Sequence, residues 1–330
     1  MAERILVTGG AGYIGSVVVA QLLERGYEPI VFDDLSNGHR AALSGATKLI
    51  VGDIADRAAL TRVFSEYQPA AVMHFAAFIE AGESMQHPGK FFRNNTANAL
   101  TLLETLLEHN VKRFVFSSTA ALYGTPEKTP IEESAPLEPS NAYGESKLLV
   151  EQMLGWFHRI HGLRYACLRY FNAAGAAGEQ GEDHHPESHL IPIALQVALG
   201  ARKDVAIFGT DYPTPDGTCV RDYIHVSDLA TAHLLVLEAL NAKERLIYNL
   251  GNGQGFSVRE VIDTVRKITG HPIPAKESPR RAGDPAVLVA SSDKIKKELG
   301  WKPEYAELES IVRSAWEWRK AHPKGYESKR

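Results

Sequence analysis

Cysteine is scarce: Cys167 and Cys219 are the only two in 330 residues. Two thiols build neither a disulfide framework nor a cysteine-rich zinc cluster, and their apolar or β-type neighbours suit buried free thiols. Long apolar runs are missing as well, none approaching the ~20 residues that cross a bilayer. Charge of one sign is not concentrated either. Lys and Arg number 36 against 40 Asp and Glu, for a net charge of −4, and no basic block offers itself to nucleic acid or membrane. Any anionic partner must be held locally. The start, Met1-Ala2-Glu3-Arg4, runs straight into Ile5-Leu6-Val7, which leaves no room for a secretion signal, and a cytoplasmic protein is expected. What remains is an ordinary globular composition, 44% hydrophobic and 23% charged. The length exceeds the ~100–200 residues of one domain, so a large domain with a smaller one appended is expected.

The first half alternates short β-branched runs with helical patterns, which predicts parallel strands joined by helices. The strands are expected at Arg4–Thr8, Glu28–Asp33, Lys48–Val51, Ala71–Phe75, Arg113–Ser117 and Tyr165–Tyr170. The helices are expected at Ile14–Arg25, Arg57–Tyr67, Asn94–His109 and Tyr143–His161. The fold class is α/β: a doubly wound parallel-sheet Rossmann domain over 1–172, with a smaller α/β C-terminal domain over 173–330 for substrate. Asp222–His225 reads as a strand and Asp228–Leu240 as a helix capped by Ser227, so the chain is expected to revisit the first domain at about 220–250. Ser257 and Glu260 form a capping box for a helix ending near Gly270, Gly300 is a second C-terminal stop, and Lys324–Arg330 is expected as a solvated end.

Thr8-Gly9-Gly10-Ala11-Gly12-Tyr13-Ile14-Gly15 follows a strand and opens a helix. Gly9 permits the tight turn, Gly12 lets the backbone approach a pyrophosphate and Gly15 permits close helix packing, while the helix N-terminus supplies free N–H donors. The spacing departs from Gly-x-Gly-x-x-Gly. The second strand nevertheless ends in Asp33, eighteen residues after Gly15, where an acid binds the adenosine ribose. Asp33 and Asp34 together repel a 2′-phosphate, which favours NAD over NADP. Gly52-Asp53-Ile54 and Phe75-Ala76-Ala77 end the next two strands, where crevice loops gather.

Tyr143 and Lys147 are four residues apart in a helical stretch, so both side chains leave one face. A phenol titrates near ~10, and a neighbouring cation brings it toward use as a base. Together with the upstream glycines, this pair resembles the extended short-chain dehydrogenase/reductase superfamily, whose sites join Tyr-x-x-x-Lys to a Ser or Thr hydroxyl. The match here is Phe116-Ser117-Ser118-Thr119-Ala120-Ala121-Leu122-Tyr123-Gly124, with Thr119 the candidate.

Within that superfamily, nearly the whole chain resembles the UDP-glucose 4-epimerase (UDP-galactose 4-epimerase) family. The resemblance rests on Thr8–Ser16, His74-Phe75-Ala76-Ala77 with Gly82-Glu83-Ser84, Tyr143-Gly144-Glu145-Ser146-Lys147, Arg169-Tyr170-Phe171-Asn172, Asp211–His225 and Arg280-Arg281-Ala282-Gly283-Asp284. It implies an isomerase of carbohydrate metabolism that interconverts UDP-glucose and UDP-galactose through a 4-keto intermediate. Tyr143, Lys147 and Thr119 would be catalytic, and NAD the cofactor. The dinucleotide would meet Gly9, Gly12, Tyr13, Ile14, Gly15, Asp33, Asp34, Asn37, Gly38, Asp53, Ile54, Phe75, Ala76, Ala77, Asn94, Ser117, Tyr143, Lys147 and Tyr170. The UDP-sugar would meet Thr119, Tyr143, Phe171, Asn172, His189, Leu190, Ala206, Phe208, Arg221, Arg281 and Asp284. Arg221 and Arg281, read as lying in Gly/Pro-rich loops, offer forks of donors to a diphosphate. A homodimer packed through the helices Asn94–His109 and Tyr143–His161 is implied too.

Three positions depart from the family pattern. His189 stands where Asn is common. Ile79 stands where some members reach the NAD pyrophosphate with Lys, leaving more of that work to the helix N-terminus. Leu288 stands where the residue that gates sugar size is Tyr in strict enzymes and small in permissive ones, so N-acetylated sugars are candidate substrates. A nucleotide-sugar dehydratase would carry Asp-Glu after the Thr, whereas Ala120-Ala121 follow Thr119. UDP-glucuronate and UDP-pentose epimerases stay open, as does an NAD-sensing protein on the same fold, although that would not need the Tyr, Lys and Thr. No metal is expected: His184, His185 and His189 lie in an acidic stretch without helical ligand spacing, read as a solvated loop.

Overall fold

The computed structural model describes residues 2–281 and 284–326. Met1, Ala282 and Gly283 of the segments singled out above, and residues 327–330 of the tail, lie outside the described residues.

Six strands form first: β1 (Arg4–Thr8), β2 (Glu28–Asp33), β3 (Lys48–Val51), β4 (Ala71–His74), β5 (Arg113–Thr119) and β6 (Arg164–Tyr170). Later come β7 (Asn172–Ala174), β8 (Val205–Phe208), β9 (Val220–His225), β10 (Arg245–Leu250), β11 (Gly255–Ser257), β12 (Ala275–Ser278) and β13 (Val287–Leu288). Seven of these make one sheet in the order β10-β6-β5-β4-β1-β2-β3, all pairs parallel. Such strands are covered on both faces and read as near-continuous apolar runs. Ile5, Leu6 and Val7 of β1 are wholly buried, and every residue of β5 is buried.

One face packs on the helices Tyr13–Glu24 and Val226–Ala239 through Val18, Leu22, Leu229 and Val236. The other packs on Arg57–Tyr67, Asn98–Glu108 and Ala142–His161 through Leu60, Leu102 and Val150. Strand order reverses between β1 and β4, and a doubly wound sheet opens a ligand crevice at the carboxyl ends of strands on either side of such a reversal. Here Phe75 N and Ala76 N both donate to Thr8 O, at 2.8 and 3.1 Å, and close the floor of that crevice.

The return to the sheet is made by the helix Val226–Ala239 and β10, which pairs with β6. β9, expected to be part of that return, instead pairs with β7, β11 and β13 in a separate sheet. Ser227 is not the cap. The helix starts two residues earlier, at Val226, and the His225 ring accepts from Ser227 N at 3.1 Å. The expected helix Asn94–His109 is broken in character, wider-wound over Phe92–Ala97 and α-helical over Asn98–Glu108. The capping box of Ser257 and Glu260 is present, and Gly270 and Gly300 close their helices in the left-handed conformation. Both cysteines are free and buried. β8 pairs with β12, and a second core of Leu195, Val261, Ile311 and Trp316 gathers the C-terminal helices.

Two stretches expected to be solvated are partly buried. Tyr326, within the expected solvated end, is buried; its N donates to Asp183 Oδ2 at 2.8 Å, and its hydroxyl accepts from Gly181 N at 2.8 Å. The stretch before His189 is packed only in part: Glu182 and Asp183 are buried, while His185, Pro186 and Ser188 are exposed as expected. No described helix is long and apolar enough to cross a membrane.

Candidate active site

The glycine turn places the first half of the site. Gly9 has φ +72, and a Cβ there would stand 2.4 Å from Ala76 N; a Cβ on Gly15 would stand 2.2 Å from Gly9 O. Both positions therefore exclude side chains, letting β1 turn directly into the helix Tyr13–Glu24. That helix has no side-chain cap on its first turn, so its N–H groups face the cavity. Asp33 at the end of β2 is buried, which raises its carboxyl, while N–H groups of Leu35 (2.8 Å) and Ala11 (2.9 Å) draw it back. Each oxygen takes one backbone donor and keeps a lone pair for a diol. A cradle walled by glycine, an uncapped helix start and a fixed carboxylate fits an adenine dinucleotide.

A cavity of about 330 Å³ follows these groups. All nineteen residues expected around the dinucleotide line it, from Gly9 through Asp53 and Asn94 to Tyr170, together with Thr119, Phe171, Asn172 and His189. A second cavity, about 1250 Å³, is lined by Asn172, His189, Leu190, Ala206, Phe208, Arg221, Arg281 and Asp284. The two share Phe78, Glu80, Asn172 and Glu182 as walls. Arg221 lies on β9 rather than in a loop, and its guanidinium pairs with Asp284. Arg281 stacks over the Phe208 ring, 4.0 Å to the centroid. Stacking holds an aromatic face and a cation together at one wall.

Tyr143 and Lys147 occupy the first turns of the helix Ala142–His161, whose start is capped by Asn141 accepting from Gly144 N at 2.8 Å. Burial pushes the Tyr143 phenol up, a hydrogen bond with Thr119 pulls it back and Glu80 adds to the rise. Burial lowers the Lys147 ammonium to about 7. Its Nζ donates to Ser117 O at 3.0 Å, fastening the helix to β5 beside Thr119. Thr119 Oγ1 also accepts from Ala121 N at 3.1 Å, so Ala120 and Ala121 continue as a tight turn with no carboxylate next to Thr119. Behind them Arg169 grips Glu151 by two nitrogens, Nε to Oε1 at 3.0 Å and Nη2 to Oε2 at 2.6 Å. Ser118 Oγ donates to the same carboxylate at 2.6 Å.

Glu80 and Phe78, walls of both cavities, were not expected from sequence, although matched motifs flank them on both sides. Glu182 and Glu187 are unmarked in the sequence as well, and His184 reads there only as part of a solvated loop. His189 Nδ1 lies 2.7 Å from Glu182 Oε1 and 3.0 Å from Glu187 Oε1. Burial raises the Glu182 carboxyl, but His189 and His184 beside it hold it down at about 2. Burial works against a charge on His189, and Glu182 and Glu187 outweigh it, carrying the imidazole well above its ordinary range.

A dinucleotide crevice at the switch point, a buried Tyr-Lys-Thr group and an adjoining cavity with two arginines define a dinucleotide-dependent enzyme of nucleotide-linked substrates. The model of the NAD dependent epimerase/dehydratase family matches residues 5–251. A UDP-glucose 4-epimerase of Halalkalibacterium halodurans is 56% identical over 325 residues, 98% of this chain and 97% of that protein. The UDP-glucose 4-epimerase of Bifidobacterium longum, solved in complex with NAD+ and UDP, superposes with a TM-score of 0.94 at 41% identity, covering 98% of this chain and 99% of that one. The UDP-Glc/GlcNAc 4-epimerase of Campylobacter jejuni superposes at 0.86 with 42% identity, over 97% and 100%. The chain belongs to the NAD dependent epimerase/dehydratase family.

Proposed function

We propose that the protein is an isomerase that interconverts UDP-glucose and UDP-galactose at sugar C4 through a 4-keto intermediate, with NAD in the smaller cavity and UDP in the larger. The observation that carries this is the buried Tyr143–Thr119 pair, fastened by Lys147, in a cavity that shares its walls with the second. The Halalkalibacterium and Bifidobacterium relatives bear the same activity in their names, and the latter was solved with both ligands.

Bound in the glycine cradle, NAD supplies a positive nicotinamide and reversible hydride acceptance at C4. Lys147 adds a second positive charge one turn from Tyr143 and favours the phenolate that burial disfavours. Tyr143 takes the C4 hydroxyl proton, and Thr119 holds the same oxygen. Arg221 and Arg281 anchor the diphosphate while Phe208 and Leu190 meet the uracil, with Ala206, Phe171, Asn172, His189 and Asp284 completing the wall. Firm hold on UDP and slack hold on the sugar let the ketose present its other face before the proton and hydride return. Without a carboxylate beside Thr119, no acid is placed there to expel water, which favours epimerisation over dehydration.

The substrate range extends in this proposal to the N-acetylated pair, since the half-buried Leu288, in register with Arg221 across β13 and β9, is intermediate in size. A homodimer is part of the same reading. Leu100, Trp156 and Ile160 stand exposed on the helices Asn98–Glu108 and Ala142–His161. Free buried thiols accord with a cytoplasmic setting. Incubation with UDP-galactose, its N-acetyl form, UDP-glucuronate and UDP-arabinose, without added cofactor, followed by separation of epimers tests the assignment. Conversion of the first two supports it, conversion confined to the uronate or pentose moves the substrate, and conversion of none refutes it.

A further inference from the structure

Glu182, His184, Glu187 and His189 come from one loop of eight residues, and each brings a ligand-type atom within 4.8 Å of those of the others. This is not a surface acidic cluster, because the Glu182 and Glu187 side chains are 7% and 4% exposed. The second observation is an orphan: His184 Nδ1 is buried and has no hydrogen-bond partner, although Glu182 Oε1 lies 3.3 Å away off its axis. Buried ring nitrogens without a partner are uncommon and call for an explanation.

The loop is also braced from behind. Tyr13 OH donates to Gly175 O at 2.7 Å, Trp318 Nε1 to Glu179 O at 3.0 Å, and His39 Nε2 sits 2.9 Å from Asp183 O. Tyr326 fixes Gly181 and Asp183, as described. These contacts hold the backbone on both sides of Glu182, and His189 is set at the start of the helix Leu190–Ala198, so the first and last of the four groups stand on fixed chain, as a preorganised site requires.

From this geometry we infer that Glu182, His184, Glu187 and His189 bind one divalent transition-metal ion of the zinc class. Two imidazoles and two carboxylates supply the N₂O₂ set such an ion takes tetrahedrally at roughly 2.0–2.2 Å. A dication neutralises the two carboxylates and leaves both rings as neutral ligands. Four protein ligands make a closed site, so the ion clips the loop rather than performs chemistry. Its place matters nonetheless: Glu182, His184 and His189 face the smaller cavity, and Glu182, Glu187 and His189 the larger. The ion stiffens the partition between them.

The test reads metal, not turnover. Full-length protein is stripped with a chelator, titrated with Co²⁺ and then Zn²⁺, and its retained metal measured after gel filtration. About one ion per chain, a visible Co²⁺ absorption of tetrahedral type and its loss on adding Zn²⁺ are expected. Glu182→Gln and His184→Asn should each weaken retention at least about a hundredfold. His184→Asn removes one contact of the ring, that with Glu182 at 3.3 Å, and circular dichroism checks that the fold persists. Wild-type protein that retains no ion overturns the inference, and so does retention unchanged in both variants.

Discussion

Tyr143 and Lys147 show how burial sets what a residue can do. The phenol is pushed up by burial and only partly drawn back by Thr119, so the proton transfer proposed for it depends on a neighbouring positive charge. Tyr143→Phe should lower turnover by about 10²–10⁴-fold, the usual worth of a positioned acid-base group, while cofactor content stays at wild-type level. Initial rates and released dinucleotide check this. Lys147 makes a prediction about stability. Its folded value of about 7 lies below the 10.5 of the free side chain, so the fold prefers the neutral amine. The penalty is full below pH 7 and fades as pH rises from 7 toward 10.5. In cofactor-free protein, Lys147→Met should therefore gain most in melting temperature, relative to wild type, at or below pH 7, and the gap should narrow above it. A gap that widens with pH would contradict the buried-ammonium reading.

Single elements carry these side chains, and they fail in identifiable places. Gly9 joins β1 to the first helix at a positive φ, with Ala76 N where a Cβ would go. Gly9→Ala should leave the purified protein depleted in bound dinucleotide, measured by chromatography of the released nucleotide. The helix carrying Tyr143 is tied to β6 through the Arg169–Glu151 pair, both side chains at most 6% exposed. Removing one partner strands a buried charge, so Arg169→Met should cost about 3–5 kcal/mol in chemical denaturation.

Element positions were legible because parallel strands buried on both faces announce themselves. β2 carries a buried run from Pro29 to Asp33, the edge strand β3 keeps the apolar run Leu49–Val51 although its ends are exposed, and the box at Ser257 marks its helix. Less legible was whatever long-range packing decides. His225 displaced Ser227 as a cap through its own ring, the wide-wound turn at Phe92–Ala97 has no composition signature, and β9 joined a different sheet from the one its position suggested.

At the scale of the molecule, the smaller and larger cavities meet where the chain leaves the sheet after β6, before it comes back as β10. Glycine spacing and the Tyr-x-x-x-Lys step pointed to residues that the structure gathers around the first cavity. The Glu182–His189 loop looked solvated because its residues are polar. His185, Pro186 and Ser188 are indeed exposed, but Asp183 is held under Tyr326, 143 residues further on, and that burial is a long-range contact no local pattern announces. The exposed Trp156 and Ile160 belong to this scale too: the double change Trp156→Glu with Ile160→Glu should halve the mass seen by light scattering if the two helices join copies of the chain.

The central claim is that hydrogen leaves C4 of the sugar and returns to the same carbon from the other side. UDP-galactose deuterated at C4 tests it most directly, incubated in ordinary water with the protein as purified. The account predicts UDP-glucose with the deuterium retained at C4 and no net reduced nicotinamide. Loss of the label to solvent, or stoichiometric reduced cofactor in place of the epimer, would contradict it.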